Sequence, residues 1–197
     1  ESDYFGVACV DEAIRLRENG IQTPILILGY TPTEDIPLLT KYKLTQCAVD
    51  RDYLLLLQDK IGPKESLTVH VKIDTGMSRL GFPATEEAAN ICTRIAKLPG
   101  LEAEGLFSHF ATADCEDLTK SRQQAERFDA FAEMLESRGV NIKIYHMDNS
   151  AGIVNMQNHY EMVRAGIILY GMQPSEYVDI TGLKPALSWY SWVAFVK

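Results

Sequence analysis

The sequence predicts an α/β fold on a parallel sheet, and a (β/α)8 TIM-type barrel in preference to an open doubly wound sheet. Three observations lead there. Apolar stretches of strand length alternate with helical stretches along the whole chain, giving about seven strands, the pattern that right-handed crossovers turn into a parallel sheet. Neither a GxGxxG turn nor a P-loop occurs, so the usual mark of a nucleotide-binding open sheet is missing. Polar side chains recur at the carboxyl ends of successive strands: Arg79, His109, Ser150 and Arg164. One mouth fed by several strands is the arrangement of a barrel.

Residues 4–8 open the chain as a short apolar run that reads as a strand. Asp11 is placed to cap the next helix, whose buried side includes Ala13, Ile14 and Leu16, and Asn19-Gly20 stops it. Residues 24–29 are continuously apolar, as a parallel strand covered on both faces requires. A short helix is expected over 33–39, with Thr33 or Asp35 near its start. A strand over 45–49 leads to Asp50, the cap of a helix over 51–60 that carries four successive leucines.

Residues 67–74 form the central strand. Val69, Val71 and Ile73 alternate with His70, Lys72 and Asp74, and the strand runs into Thr75-Gly76-Met77-Ser78-Arg79-Leu80-Gly81. Such a strand delivers charged groups into a barrel mouth. An edge strand with one wet face and a surface arginine gives the same alternation, and the pattern alone does not separate the two. Thr85-Glu86-Glu87 opens a helix with its acidic residues where the dipole favours them. Ala88, Cys92 and Ile95 share one side, and Pro99-Gly100 ends it. A strand over 101–109 precedes the longest helix, 119–138, with Ala125, Phe128, Ala132 and Leu135 as its apolar stripe and Gly139 as its stop. A strand over 142–148, a short helix from Asn149-Ser150-Ala151-Gly152, and a last strand or strand-plus-turn over 161–169 complete the series. Residues 174–185 read as a loop, and the residues after it as strand-like.

Composition excludes several classes. The chain has 197 residues, is 46% hydrophobic and 23% charged, and carries a net charge of −8, the profile of an ordinary globular protein. No basic stripe suggests nucleic acid or an anionic membrane surface. No apolar run is long enough to span a bilayer, and no signal peptide is visible. Cys9, Cys47, Cys92 and Cys115 are scattered without a CxxC pair, and the histidines lack metal-ligand spacing. These features read as a reduced, cytoplasmic chain with no metal.

Most of the candidate site residues keep more than one reading. Ser150, ahead of the amides of Ala151 and Gly152, suits an anion or a plain helix cap. Gly166 permits close backbone approach to a ligand. Arg164 lies in an apolar segment and needs a partner, which is a ligand or a structural ion pair. His109, among aromatics, reads by itself as a core histidine. Lys72 fits a Schiff-base lysine, an ion pair with Asp74, or a carboxylated lysine.

Four motifs in order resemble the bacterial alanine racemase family, including its serine racemase relatives. They are Lys72-Ile73-Asp74-Thr75-Gly76-Met77-Ser78-Arg79-Leu80-Gly81; Ser108-His109-Phe110-Ala111-Thr112-Ala113-Asp114; Asn149-Ser150-Ala151; and Arg164-Ala165-Gly166-Ile167 with Tyr170-Gly171. Residues 4–16 resemble the second strand and helix of the family's barrel. Ser78 departs from the glycine usual there.

The resemblance implies a fold-type III barrel holding pyridoxal 5′-phosphate. Ser150 and the backbone of Gly166 and Ile167 would bind its phosphate, and Arg164 its pyridine nitrogen. His109 would lie by the ring and bond Arg164, and Arg79 would reach the phenolic oxygen and the substrate carboxylate. Lys72 matches a lysine that some members carboxylate to orient Arg79. An arginine donates to the ring nitrogen without yielding its proton, which leaves the ring a weaker electron sink.

The expected activity is interconversion of L- and D-alanine for peptidoglycan, as part of a homodimer. The alternatives are a serine racemase of the same family and a non-racemising cofactor-binding protein of fold-type III. The family's Schiff-base lysine and C-terminal tyrosine have no match here, so residues 1–171 are expected to be barrel strands two to eight. Residues 172–197 would then be a linker and the start of a C-terminal β-domain. Alone, such a piece is expected to be inactive and, with two open sheet edges, prone to self-association.

Overall fold

The computed structural model describes residues 2–62 and 64–196. Among these residues seven strands are present: β1 (Phe5–Val7), β2 (Ile25–Ile27), β3 (Thr45–Ala48), β4 (Leu67–Asp74), β5 (Phe82–Pro83), β6 (Leu101–Phe107) and β7 (Ile144–His146). Six of them lie side by side as β1-β2-β3-β4-β6-β7, and every neighbouring pair is parallel. β5 adds two residues at the carboxyl end of β4, where Ile73 pairs with Phe82. Strand order follows chain order with no reversal. A doubly wound sheet reverses at a switch point, whereas a barrel does not, so the sheet is a curled, incomplete barrel, as expected.

Among the described residues five helices connect the strands, α1 (Val10–Glu18), α2 (Ile36–Lys41), α3 (Arg51–Lys60), α4 (Glu86–Ile95) and α5 (Thr119–Ser137), and a sixth, α6 (Gly152–Asn155), follows β7. The expected Asp50 cap forms, and Thr85 caps α4 as well. Asp50 Oδ1 accepts the Tyr53 N–H at 2.7 Å, and Thr85 Oγ1 accepts that of Ala88 at 3.3 Å. Asp11 is not a cap. The cap position of α1 is Cys9, without a side-chain bond, and Glu12 reaches back to the Ala8 N–H at 2.7 Å. Asp11 sits in the first turn, where only the dipole favours it.

Val69, Val71 and Ile73 are buried under the helices, and His70 and Lys72 are buried as well. β4 lies between β3 and β6, which removes the wet-edge reading of this strand. On α5 the predicted stripe is present, with Phe128 and Leu135 buried and Ala125 and Ala132 partly so. Phe131 joins it, and each such large side chain contributes about 1.5–3 kcal/mol by leaving water.

Two strand expectations are not met. Over 161–169 the strand is reduced to one parallel bridge, His146 to Met162, followed by a 3-10 turn at Ile167–Tyr170. Gly166, with φ −117° and ψ −93°, leaves the extended region and turns the chain away from the sheet. Residues 186–196 form no strand. Their Trp189, Tyr190, Trp192, Val193, Phe195 and Val196 are exposed, and a strand needs a neighbour to take its backbone hydrogen bonds; Lys197 lies outside the described residues. Among the described residues, no helix is long and apolar enough to cross a membrane.

Candidate functional site

Parallel register builds the floor of the site. Lys72 on β4 pairs with Phe107 on β6, and Phe107 with His146 on β7, so three side chains form one row. The Phe107 ring stacks on His146 with centroids 4.6 Å apart and planes 4° from parallel. The same ring carries Lys72 Nζ at 5.1 Å and Arg164 Cζ at 5.5 Å. Cations within about 6 Å of a ring centroid are attracted by its quadrupole, more so when desolvated.

Arg164 is the centre of the hydrogen bonding. Its Nη1 meets His146 Nδ1 at 2.5 Å. Its Nη2 donates to the Ser108 and Met147 carbonyls at 2.8 and 3.0 Å and meets His109 Nδ1 at 3.2 Å. No carboxylate lies within ion-pair distance of Arg164 among the described residues, so the structural ion pair is not what holds it. Burial lowers the guanidinium to about 10, which leaves it charged at neutral pH. His109 is pushed down to about 3, by burial first and then by the charge of Arg164. Burial and then Arg164 hold His146 well below the usual imidazole range. Neutral rings beside a guanidinium must accept from it, so His109 and His146 are both unprotonated on Nδ1.

His109 is placed from outside the sheet. Gln124 of α5 donates to the His109 carbonyl at 3.0 Å and accepts the Ala111 N–H at 2.9 Å. The His109 side chain is part-buried, lines the cavity and meets Arg164 through its ring, so it is not the core histidine that its aromatic neighbours suggest.

Ser150 and Gly166 meet in the lining of the same cavity. The Gly166 N–H donates to Ser150 Oγ at 3.0 Å. The capping bond near α6 belongs to Asn149, whose Oδ1 accepts the Gly152 N–H at 2.9 Å, so Ser150 is not a plain cap. Ile167 opens the 3-10 turn, and its N–H has no acceptor within that turn.

Lys72 is buried beneath these groups, with one long bond, Nζ to the Ile73 carbonyl at 3.4 Å. Burial, and then the charge of Arg164, push its ammonium down to about 7. The ion pair with Asp74 does not form. Asp74 Oδ1 instead accepts the N–H groups of Gly76 and Ser78 at 2.9 and 3.0 Å and shapes the loop that carries Arg79. Arg79 is exposed at the rim.

Arg79, His109, Ser150 and Arg164 line one cavity of about 1270 Å³ at the carboxyl ends of the strands, together with Lys72, Gly166 and Ile167. The predicted set is thus brought together. Sequence reading missed Phe107 and His146, and it gave His70 no role beyond alternation. The signal for His70 was its place two residues before Lys72 on one strand face. No group of acidic, histidine or cysteine side chains suited to a metal occurs among the described residues.

Comparison with known proteins yields a consistent set. The family model for the alanine racemase N-terminal domain matches residues 1–174. An alanine racemase of Carboxydothermus hydrogenoformans is 45% identical over 98% of this chain and 53% of its own length. Alanine racemase 2 of Caldanaerobacter subterraneus subsp. tengcongensis is 42% identical over 99% of this chain and 51% of its own. The alanine racemase of Clostridium difficile 630, solved in complex with cycloserine, superposes with a TM-score of 0.90 at 40% identity, over 94% of this chain and 51% of that one. The chain therefore spans about half the length of the relatives it matches.

Proposed function

The chain belongs to the alanine racemase family through its N-terminal domain, and from that premise we propose that it is the cofactor-binding barrel of a pyridoxal 5′-phosphate-dependent alanine racemase. One observation carries the reading. The same cavity is lined by a half-buried guanidinium with spare donors and by a serine hydroxyl bonded to the Gly166 amide, with Ile167 next in the chain. Arg164 uses one Nη1–H and both Nη2–H groups within the protein, which leaves its Nε–H and second Nη1–H for a ligand. Ser150 Oγ accepts from Gly166 and keeps its own proton to donate. A flat ring with one acceptor nitrogen and one phosphate fits this donor set.

When bound, pyridoxal phosphate supplies an electron-withdrawing ring that acidifies the Cα proton of an amino acid joined to it. The chain's own residues bind and orient. Ser150, Gly166 and Ile167 would hold the phosphate. Arg164 would donate to the ring nitrogen while keeping its own proton, so the ring stays unprotonated. His109, neutral and bonded to Arg164, adds no positive charge beside it. Arg79, free at the rim, is placed to meet the substrate carboxylate. The resemblance assigns the proton-transferring lysine and tyrosine to segments outside these 197 residues, so racemisation, like the homodimer, is proposed for the full-length protein.

Cofactor binding and racemisation are measured separately. Purified protein is titrated with pyridoxal phosphate by absorbance, and the full-length protein is assayed for D-alanine formation from L-alanine by chiral chromatography. Saturable binding that weakens about tenfold or more in Ser150→Ala and Arg164→Ala supports the site. Full-length protein that neither binds the cofactor nor racemises alanine overturns it.

A further inference from the structure

A line of side chains crosses the barrel interior beneath Arg164. Arg164 Nη1 lies 2.5 Å from His146 Nδ1, His146 Nε2 lies 2.8 Å from His70 Nδ1, and His70 Nε2 lies 3.1 Å from Glu104 Oε2. Tyr4 donates to the same Glu104 oxygen at 3.2 Å and shares a bond with Thr45 Oγ1. Both imidazoles are fully buried. Backbone makes the line possible. The pairing of β4 with β6 runs Val69 to Ala103 and then His70 to Gly105, so a bulge leaves Glu104 as the extra residue. Gly105 clears the space, since a Cβ there would stand 2.4 Å from His70 Nδ1.

The two ends fix the direction of every bond. A guanidinium can only donate, so His146 Nδ1 accepts and its proton sits on Nε2. That proton faces His70 Nδ1, which must accept, so the His70 proton sits on Nε2 and goes to Glu104. A carboxylate can only accept. Consistently, the bond from His70 is the largest influence holding the Glu104 carboxyl below its ordinary range. A second proton on either ring would set two donors against each other at one of the links.

We propose that Glu104, His70 and His146 are positioning residues for Arg164. They form a one-way chain of hydrogen bonds, anchored on the Glu104 carboxylate, that locks both imidazole tautomers and holds the guanidinium in one orientation toward the cavity. The proposal rests on the cofactor reading only for what Arg164 is turned toward. Among the described residues Arg164 has no carboxylate within ion-pair distance, and Glu104 is the negative charge at the far end of the chain. A second carboxylate, Asp148, is engaged by His159 at 2.6 Å.

The test begins without cofactor. Long-range ¹H–¹⁵N correlation on histidine-labelled protein at neutral pH should show the proton on Nε2 in both His70 and His146. Glu104→Gln should keep that pattern, since its amide oxygen accepts the same N–H. Glu104→Leu should change the His146 signals although it does not touch that ring. A proton on Nδ1 of either ring, an imidazolium at either, or His146 signals unmoved in Glu104→Leu overturns the proposal. Binding supplies the second arm, with pyridoxal phosphate and an analogue carrying carbon in place of the ring nitrogen. Glu104→Leu should weaken the phosphate cofactor about tenfold and leave the analogue unchanged, because only the former uses a positioned Arg164. Should Glu104→Leu not fold, Glu104→Ala is read instead, with the same two expectations, since it too removes the acceptor for the His70 N–H. Equal loss for both ligands marks a merely structural role and overturns the positioning. If wild type binds neither ligand, the cofactor reading falls, and the tautomers alone decide the chain.

Discussion

Phe107 and His146 lie face to face on adjacent strands, 4.6 Å between ring centres and 4° from parallel, and Arg164 and Lys72 both sit over the Phe107 ring. One phenyl group therefore spaces a neutral imidazole and two cations in a water-poor interior. Phe107→Leu keeps the volume roughly but removes the quadrupole. It is expected to destabilise the protein by about 1–2 kcal/mol and to weaken cofactor binding through Arg164. Urea unfolding together with a pyridoxal phosphate titration measures both; unchanged affinity would show that the ring only fills space.

Lys72 makes stability depend on pH in a defined sense. Its ammonium falls from 10.5 unfolded to about 7 in the folded chain, chiefly through burial. Between those values the unfolded chain binds more protons, so this group's contribution rises with pH there and is lost progressively as pH falls from about 10.5 to about 7. Lys72→Met removes the dependence. The stability of wild type relative to Lys72→Met should drop by roughly 2–3 kcal/mol from about pH 9.5 to about pH 7. Parallel curves from urea unfolding at the two pH values would count against a buried, easily deprotonated lysine.

The same amine is suited to carbon dioxide. Its neutral form attacks the carbon, an N–C bond forms and a proton leaves, and the resulting carbamate is an anion in a cavity lined by Arg164 and Arg79. In ¹³C-bicarbonate buffer the protein should show a carbamate carbon resonance that Lys72→Met lacks. An identical spectrum for the two proteins rules the modification out.

Much of the barrel was legible because its signals are local. Asp50 and Thr85 stand just before apolar periodicity and make the bonds that caps make. Within the apolar run 24–29, Ile25–Ile27 form a strand buried at every position, as one covered on both faces must be. Asp11 was misread because an acidic residue near a helix start serves as cap or as first-turn charge, and only backbone geometry separates the two. The missing final strand and the unpaired tail share another cause. Apolar alternation records a preference for extended backbone, whereas a strand also needs a partner. Arg79, His109 and Ser150 were readable because each follows a strand, and Arg164 because it is a charge in an apolar segment, two residues beyond the single bridge at Met162. His146 was not, since its role comes from register with Phe107. Glu104 was not, since a bulge turned it toward His70, and nothing in a period of two announces a bulge.

Ser78 occupies a left-handed position, φ 57°, in the turn that Asp74 organises. A residue with a Cβ is strained in that conformation, and glycine, which the resemblance places here, is not. Ser78→Gly also frees the unfolded chain, which offsets part of the gain. The net expectation is stabilisation of up to about 1 kcal/mol, seen as a small rise in Tm. A fall in Tm would mean that the serine side chain contributes contacts outweighing its backbone cost.

Gly105 tests the packing beneath Arg164 most severely. A methyl group there would stand 2.4 Å from His70 Nδ1 and 2.5 Å from its Cγ, well inside contact distance. His70 is fully buried and hydrogen-bonded at both ring nitrogens, so the ring has nowhere to retreat. Gly105→Ala alone should cost at least about 3 kcal/mol, through overpacking and a broken bond to His146. Shrinking the neighbour relieves the clash, so Gly105→Ala combined with His70→Ala should cost less than the two single changes added together. A coupling of about 1–3 kcal/mol is expected from urea unfolding of the four proteins. Strict additivity would mean that the two residues do not share this space, and that the imidazole line lies differently in solution.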